Sequence, residues 1–342
     1  FSVFIYRNLL LCKENGYASF MTPNVWMFIK TYEKLRQYIL QNKQISSLIQ
    51  MAKGAFFKEA TVDICAFVLC NEKREENGLY IRLEDFKGDM EVQRQKVLEA
   101  LSSENCKYFF EATESNFSKI PGSPIAYWVG KGFFDAFTKQ KISDYADVIT
   151  GMTIGDNNKY LRLWFEVWRN KIALKCNSMS QVDLQKTVWI PYSKGGERRN
   201  WYGNYEYVVN WSKKDNFNRS KTTLQHLYLK EALTWPFITS GDFSARLLPQ
   251  GFLWDVAGSP CFFKDREDEY YTLGFLCSKV ANYILKVINP TINVQAIDIA
   301  HTPLIIYNKR EVIDIASESI SRSCSDWDSF ETSWDFKKHP LI

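Results

Sequence analysis

Tyr17-Ala-Ser-Phe-Met-Thr22, halted by Pro23-Asn24, decides how the first part of the chain reads, because six apolar or small residues closed by a turn signal predict a short buried strand. A helical pattern resumes over residues 25–40. Two more strand-like runs follow, Gln44-Ile-Ser-Ser-Leu-Ile49 and Thr61-Val-Asp-Ile-Cys-Ala-Phe-Val-Leu-Cys70, with Gly54-Ala-Phe-Phe57 between them. Strand, helix, strand, strand is the ending expected of an α/β sheet that begins elsewhere. Upstream, Phe1, Phe4, Ile5, Asn8, Leu9 and Cys12 recur at helical spacing until Lys13-Glu14-Asn15-Gly16 ends the pattern. With no initial Met and a helix already under way, the chain reads as a piece of a longer protein.

Downstream, the polar run 71–78 lacks apolar periodicity and marks a boundary. Residues 79–122 hold one charged helical segment, 90–101, in otherwise mixed sequence, and read as a spacer. From Ser123 the pattern changes to short aromatic and β-branched runs separated by Gly195-Gly196, Gly203-Asn204, Gly241-Asp242 and Gly258-Ser-Pro260. That is the signature of a sheet-rich mixed α+β region, with helices expected over 270–285 and 309–321. The tail from Asp326 has two Trp and four acidic residues in its first ten positions and reads as a docked extension or linker. The expected organisation is therefore 1–75, a spacer at 76–122, a second domain at 123–322 and a tail at 323–342.

At 342 residues, with 46% hydrophobic residues, 15% aromatic and eleven Trp, the chain is too large for a peptide module and too apolar for a disordered one. No apolar stretch approaches the roughly eighteen residues of a membrane helix, so neither a span nor a signal peptide is expected. Eight Cys without a Cys-x-x-Cys pair, and three His scattered at 226, 301 and 339, argue for unpaired thiols in a reducing cytoplasm rather than a metal cluster. The net charge of +4 does not by itself establish a nucleic-acid partner.

The distribution of charge says more. Residues 186–230 carry nine basic side chains against three acidic ones, interleaved with nine aromatics: Trp189, Tyr192, Trp201, Tyr202, Tyr205, Tyr207, Trp211, Phe217 and Tyr228. Cations neutralise phosphates while flat rings and Arg forks meet bases, so this composition suits a nucleic-acid groove. Within it, Lys194-Gly-Gly-Glu-Arg-Arg-Asn-Trp-Tyr-Gly203 combines glycines that permit close backbone approach with Arg198, Arg199 and Asn200 as donors. A solvated basic loop with aromatics packed beneath it has the same composition, and both readings stay open. A second candidate is the Gly155-Asp156-Asn157 turn, where Asn157, Asn158, Lys159 and Arg162 offer polar contacts or form an ordinary turn. The chain contains no Gly-x-Gly-x-x-Gly, no phosphate loop and no Gly-x-Ser-x-Gly elbow. Acidic-x-Lys pairs at Asp85-Phe-Lys87 and Asp335-Phe-Lys337, the latter preceded by Asp326, Asp328 and Glu331, keep a metal-dependent nuclease as one alternative. A protein-interaction module that docks partner proteins or a DNA-mimicking inhibitor is the other.

Several longer strings resemble one family. Trp189-Ile-Pro-Tyr-Ser-Lys-Gly-Gly-Glu-Arg-Arg-Asn-Trp-Tyr-Gly-Asn204, Phe243-Ser-Ala-Arg246, Gly251-Phe-Leu-Trp-Asp-Val256, Leu276-Cys-Ser-Lys-Val280 and Ser325-Asp-Trp-Asp-Ser-Phe-Glu-Thr-Ser-Trp-Asp-Phe336 resemble the PglX-type adenine-specific DNA methyltransferases of BREX phage-defence systems, relatives of the type IIG restriction-modification methylases. The resemblance implies a parent enzyme that transfers a methyl group from S-adenosylmethionine to the exocyclic amine of adenine in double-stranded DNA in the cytoplasm. It also implies a fold: the last strands of a Rossmann-like methyltransferase sheet, then a target-recognition domain. In that family the cofactor glycine motif and the catalytic Asn-Pro-Pro-Tyr tetrapeptide lie upstream of the segment that Tyr17-Ala-Ser-Phe-Met-Thr-Pro-Asn-Val-Trp26 resembles. Neither occurs in this sequence, and Asn289-Pro-Thr-Ile292 lacks the second Pro and the ring on which a flipped base would stack. No catalytic, cofactor-binding or metal-binding residue is therefore expected here, and the chain alone is expected to be inactive. The expected DNA contacts are Lys194, Arg198, Arg199 and Asn200, with Trp201 and Tyr202 in the same motif, followed by Asn157, Lys159, Arg162 and Arg246.

Overall fold

The computed structural model describes residues 1–56, 62–103, 105–239 and 241–342, so the expected strand start at Thr61 and the end of the 54–57 stretch lie outside the described residues. The chain divides into two compact units, Phe1–Lys139 with Val287–Pro290, and Gln140–Lys286 with Thr291–Ile342. Both mix helices with mixed or antiparallel sheets.

Unit one is built on a five-stranded sheet of β1 (Tyr17–Pro23), β2 (Gln44–Gln50), β3 (Ile64–Cys70), β4 (Gly78–Arg82) and β5 (Phe109–Ala112), in the order β1-β3-β2-β4-β5. β2 and β4 are parallel, with Leu48 beside Tyr80, and the other neighbours are antiparallel. The opening helix, Ser2–Leu11, buries Ile5 and Leu9, as its periodicity requires. Residues 76–122, read from sequence as a spacer, contribute β4, β5 and the helix Met90–Ser102, so the division between units falls at 139/140. The helix start is set by Asp89, whose carboxylate accepts from Glu91 N and Val92 N.

The single helix expected over 25–40 is replaced by two short 3-10 turns and the helix Glu33–Asn42. Arg36 gives the reason. It is buried, and its guanidinium donates to Trp26 O and Ile29 O at 2.8 Å and to Gly122 O at 2.7 and 2.9 Å, using carbonyls that a continuous helix would have spent internally. Burial lowers this guanidinium to about 10.

Unit two holds two four-stranded sheets. One has the order β11-β10-β13-β6, antiparallel throughout, from β6 (Ala146–Val148), β10 (Ala232–Thr234), β11 (Arg246–Leu248) and β13 (Pro260–Phe263). The other has the order β12-β8-β9-β7, from β7 (Leu161–Leu163), β8 (Trp189–Ser193), β9 (Tyr207–Asn210) and β12 (Leu253–Trp254), with β12 parallel to β8. The helix expected over 270–285 is two, Arg266–Leu276 and Lys279–Ile288, because Ser278 Oγ accepts from Ala281 N and starts a new helix. The helix expected to end at 321 runs on to Trp327, which is 5% exposed and packs in the same apolar core as Tyr192, Tyr205 and Trp254. The tail is thus docked: Trp334 stacks on Phe252 with ring centroids 5.6 Å apart. All eight cysteines are unpaired, and among the described residues no helix is long and apolar enough to cross a membrane.

Helix Arg266–Leu276 carries a buried carboxyl, Glu269, whose Oε1 has no hydrogen-bond partner. Burial, reinforced by Glu231 and opposed by Arg266, pushes it up to about 8 from an ordinary 4.5. The folded chain therefore binds the proton more tightly than the unfolded one between these values. The contribution of this one carboxyl is expected to be fullest below about pH 4.5 and to be lost as pH rises to about 8, by up to about 5 kcal/mol. Urea unfolding at a series of pH values should show this slope, and Glu269→Gln should flatten it.

Candidate nucleic-acid interface

β8 leads into the glycine loop 194–204, and beside it β12 leads into the turn at Asp255. The two strands are in register, Tyr192 beside Leu253 and Ser193 beside Trp254. This brings Asp255, 2% exposed at its side chain, under the loop, where it accepts from Tyr192 Oη at 2.9 Å, Lys194 Nζ at 2.8 Å and Ala257 N at 2.9 Å. Burial and the neighbouring carboxylate push the Tyr192 phenol far up, so it remains a donor. Two glycines let the surrounding backbones close on this turn. A Cβ on Gly151 would stand 2.0 Å from Asp255 O, and one on Gly195, whose φ is +84°, would stand 2.1 Å from Ala257 O.

The far side of the loop is held by side chains. Asn204 Nδ2 donates to Glu197 O at 2.8 Å and Gly195 O at 3.3 Å, Arg199 Nε donates to Asn204 Oδ1 at 3.2 Å, and Arg246 Nη2 donates to Gly195 O. Trp201 joins it to β11 through Trp201 N to Ala245 O and Leu247 N to Trp201 O, both 2.9 Å.

On the other side of the Asp255 turn, Met152 N bonds Trp254 O and Val256 N bonds Met152 O. The chain then enters the Gly155 turn, where Asp156 caps the helical turn Asn157–Tyr160 by accepting from Lys159 N at 3.1 Å. Thr153 bridges to Arg219, and Tyr160 packs on Phe217 at 5.2 Å, so Asn157 and Lys159 lie beside Asn218 and Arg219. All four are exposed. Partial burial, then the charge of Arg219, lowers the Lys221 ammonium, as expected where like charges crowd.

The structure thus sorts the expected contacts. Asn157, Lys159 and Arg198 face solvent, Arg198 with its Nε on Asp242 O at 3.1 Å. Lys194 is spent on Asp255. Arg199 lies over the Trp327 ring at 5.0 Å with Asp326 at 3.8 Å, and so braces the tail. Arg162 Nη1 donates to Asn158 O and Leu161 O, both 2.6 Å, and so braces its own turn. Asn200, Trp201 and Tyr202 are half-buried, the two rings against apolar cores. Arg246 corrects the sequence reading outright: it is fully buried and supports the loop from beneath.

Most of the aromatics of 186–230 face the same way. Tyr192, Tyr205, Trp211, Phe217 and Tyr228 are core residues, because their rings fill the space between the strands and turns of this unit. None of the nine cations of this segment is buried, whereas five of its nine rings are. Sequence reasoning passed over the neighbouring segment Trp164-Phe-Glu-Val-Trp-Arg-Asn-Lys171, where Phe165 is 57% and Trp168 82% exposed. Its signal, three rings and two cations in eight residues, is denser than that of 186–230 but far shorter. The acids of the tail do not assemble a metal site: Asp328 accepts from Ser333 Oγ at 2.6 Å, and among the described residues no three His, Cys, Asp or Glu side chains are grouped to hold a metal ion.

Residues 1–57 match the family described as Eco57I restriction-modification methylase. The whole chain aligns at 34% identity with the adenine-specific methyltransferase PglX of Lacticaseibacillus casei (strain Zhang), covering 30% of that protein. It aligns equally, at 34%, with the adenine-specific methyltransferase BrxX of Escherichia coli O9:H4 (strain HS), covering 28% of it. The fold is similar to that of the Type IIL restriction-modification enzyme MmeI, solved in complex with DNA, at a TM-score of 0.53 and 13% identity over 99% of this chain and 46% of that one. The chain is homologous, from end to end, to the PglX and BrxX adenine-specific methyltransferases, and it spans less than a third of their length.

Proposed function

We propose that this chain provides DNA target recognition within an adenine-N6 DNA methyltransferase of a phage-defence or restriction-modification system. Unit two is the DNA-reading part and unit one the closing strands of the methyltransferase sheet. The observation that carries the reading is the pair of loops clamped on the Asp255 turn, which fix two backbones rigidly while turning Asn157, Lys159, Arg198 and Arg219 to solvent. Homology to adenine-specific methyltransferases supplies the class of reaction. Rigid loops suit this task, because contacts that distinguish bases lose discrimination if their backbone drifts.

Lys159 and Arg219 would neutralise phosphates and set the register on the duplex, while Asn157 and Arg198 carry the planar donor groups that read base edges. In this reading neither the loop after β4 nor the Glu114 carboxylate supplies a site for S-adenosylmethionine. The one glycine between β4 and the next helix, Gly88, is followed by Asp89, which already caps that helix, and the buried Glu114 carboxylate is taken by Ile45 N and Lys73 Nζ. The methyl donor and the catalytic tetrapeptide thus belong to the proposal for the longer enzyme, which works in the cytoplasm where its DNA is. The chain alone does not methylate.

Fluorescence anisotropy with duplex DNA over a salt series tests this. The logarithm of affinity should fall linearly with the logarithm of salt, and Lys159→Ala with Arg219→Ala should reduce the slope by about two and weaken all sequences alike. Unchanged affinity and slope in the double variant would remove this surface from the account.

A further inference from the structure

The 164–171 turn of unit two is the part of that unit whose surface chemistry is least explained by folding. Trp168 is 82% exposed and Phe165 57%, although aromatic rings carry the largest apolar areas a chain can bury. The turn is held firmly. Trp164 N bonds Glu206 O at 2.8 Å, Trp164 Nε1 donates to Thr332 O and Arg169 Nη1 to Trp334 O, both at 2.9 Å, and Glu166 accepts from Leu163 N at 2.7 Å. An indole presented on a fixed turn loses little freedom on binding, as an anchor for a partner should. Other residues of the turn, Trp164, Phe165 and Arg169, wall an open groove of about 540 Å³ together with Trp334, Phe336 and Glu331.

The surrounding charge says what the partner is. Ile172 and Ala173 join the start of β8 through Trp189, and Trp211 N bonds Val188 O, so Lys171 shares that end of the sheet with Lys186 and Lys213, all exposed. Lys186 has Asp183 at 3.6 Å, and Glu331 is the acid on the groove. A protruding ring with cations flanking it is complementary to a base framed by phosphates.

Resting on the reading of unit two as a DNA-binding part, we propose that the 164–171 turn is a second DNA-contacting element: the Trp168 indole stacks on a base at a partly unstacked step, and Lys171 holds an adjacent phosphate. The test uses duplexes carrying 2-aminopurine, whose fluorescence rises when it is unstacked. The full chain should raise this fluorescence on binding, Trp168→Ala should bind roughly tenfold more weakly without the rise, and Trp168→Phe should retain most of both. Lys171→Ala should reduce the salt slope by about one and keep the rise. Because Trp168 is a surface residue, its variants should melt like the parent chain. If the parent chain binds duplex DNA and Trp168→Ala binds equally well with the same fluorescence, this element is wrong and the loops around Asp255 stand. If the parent chain binds no duplex at all, the reading beneath it fails as well.

Discussion

Asp255→Ala is expected to destabilise the chain by about 3–5 kcal/mol and to weaken duplex DNA binding at least tenfold, even though it removes a negative charge. The carboxylate is almost fully buried and satisfies three donors at once, Tyr192 Oη, Lys194 Nζ and Ala257 N. Without it the Tyr192 hydroxyl is left in the core with no acceptor, and the Lys194 ammonium, 22% exposed, must find water or swing out. Both the 151–157 and the 194–204 backbones rest on this turn, so both loops lose their footing together. An exposed acid of the same unit behaves oppositely: Asp215, 85% exposed beside Lys214, should give slightly tighter DNA binding when changed to Asn. Urea unfolding and anisotropy on the two variants separate the cases. Tighter binding by Asp255→Ala would show that this carboxylate acts only as a repulsive charge.

Gly195→Ala is the second change of large expected effect, and it alters no charge at all. A methyl group there meets a backbone carbonyl, Ala257 O, at 2.1 Å, and a φ of +84° adds left-handed strain of about 1–2 kcal/mol. A carbonyl cannot rotate aside as a side chain can, so the loop must lift off the Asp255 turn. Arg198 is then displaced, and Gly195 O moves away from Arg246 and Asn204. Loss of DNA affinity of tenfold or more is expected with the salt slope nearly kept, because the cations remain but their positions are lost. Gly241→Ala, with nothing within 4 Å of the added methyl, is the neutral counterpart. Equal binding by Gly195→Ala and Gly241→Ala would mean that the loop's seat on Ala257 is irrelevant to the interface.

Both early strands of unit one were legible as strands, but only Ile64–Cys70 is the buried apolar run that was expected; Tyr17–Pro23 lies at the edge of the sheet with alternating exposure, Tyr17 55% and Met21 49% exposed, because a single neighbouring strand covers it. β4 and β5 were not legible, since Gly78-Leu-Tyr-Ile-Arg82 is short and stands in charged surroundings that resemble a linker. Arg36, which takes the Trp26 and Ile29 carbonyls, is held in place on Gly122 O, eighty-six positions away, a contact that local periodicity cannot register. In the candidate site, the surplus of cations in 186–230 was legible, and their outward direction follows from the cost of burying charge. The direction of the aromatics was not, since Tyr192 and Tyr205 suit a stacking surface or a core equally well until the sheet is closed around them. Asp255 escaped notice because its partner Lys194 lies sixty-one residues away.

We propose that the loops on either side of the Asp255 turn meet DNA. Photo-crosslinking of a duplex carrying 5-bromodeoxyuridine, followed by peptide mapping, addresses it most directly. Crosslinks to peptides containing residues 157–160, 196–202 and 217–221 are expected, lost when unlabelled duplex competes. Crosslinks confined to unit one, or none despite retained binding, would contradict it.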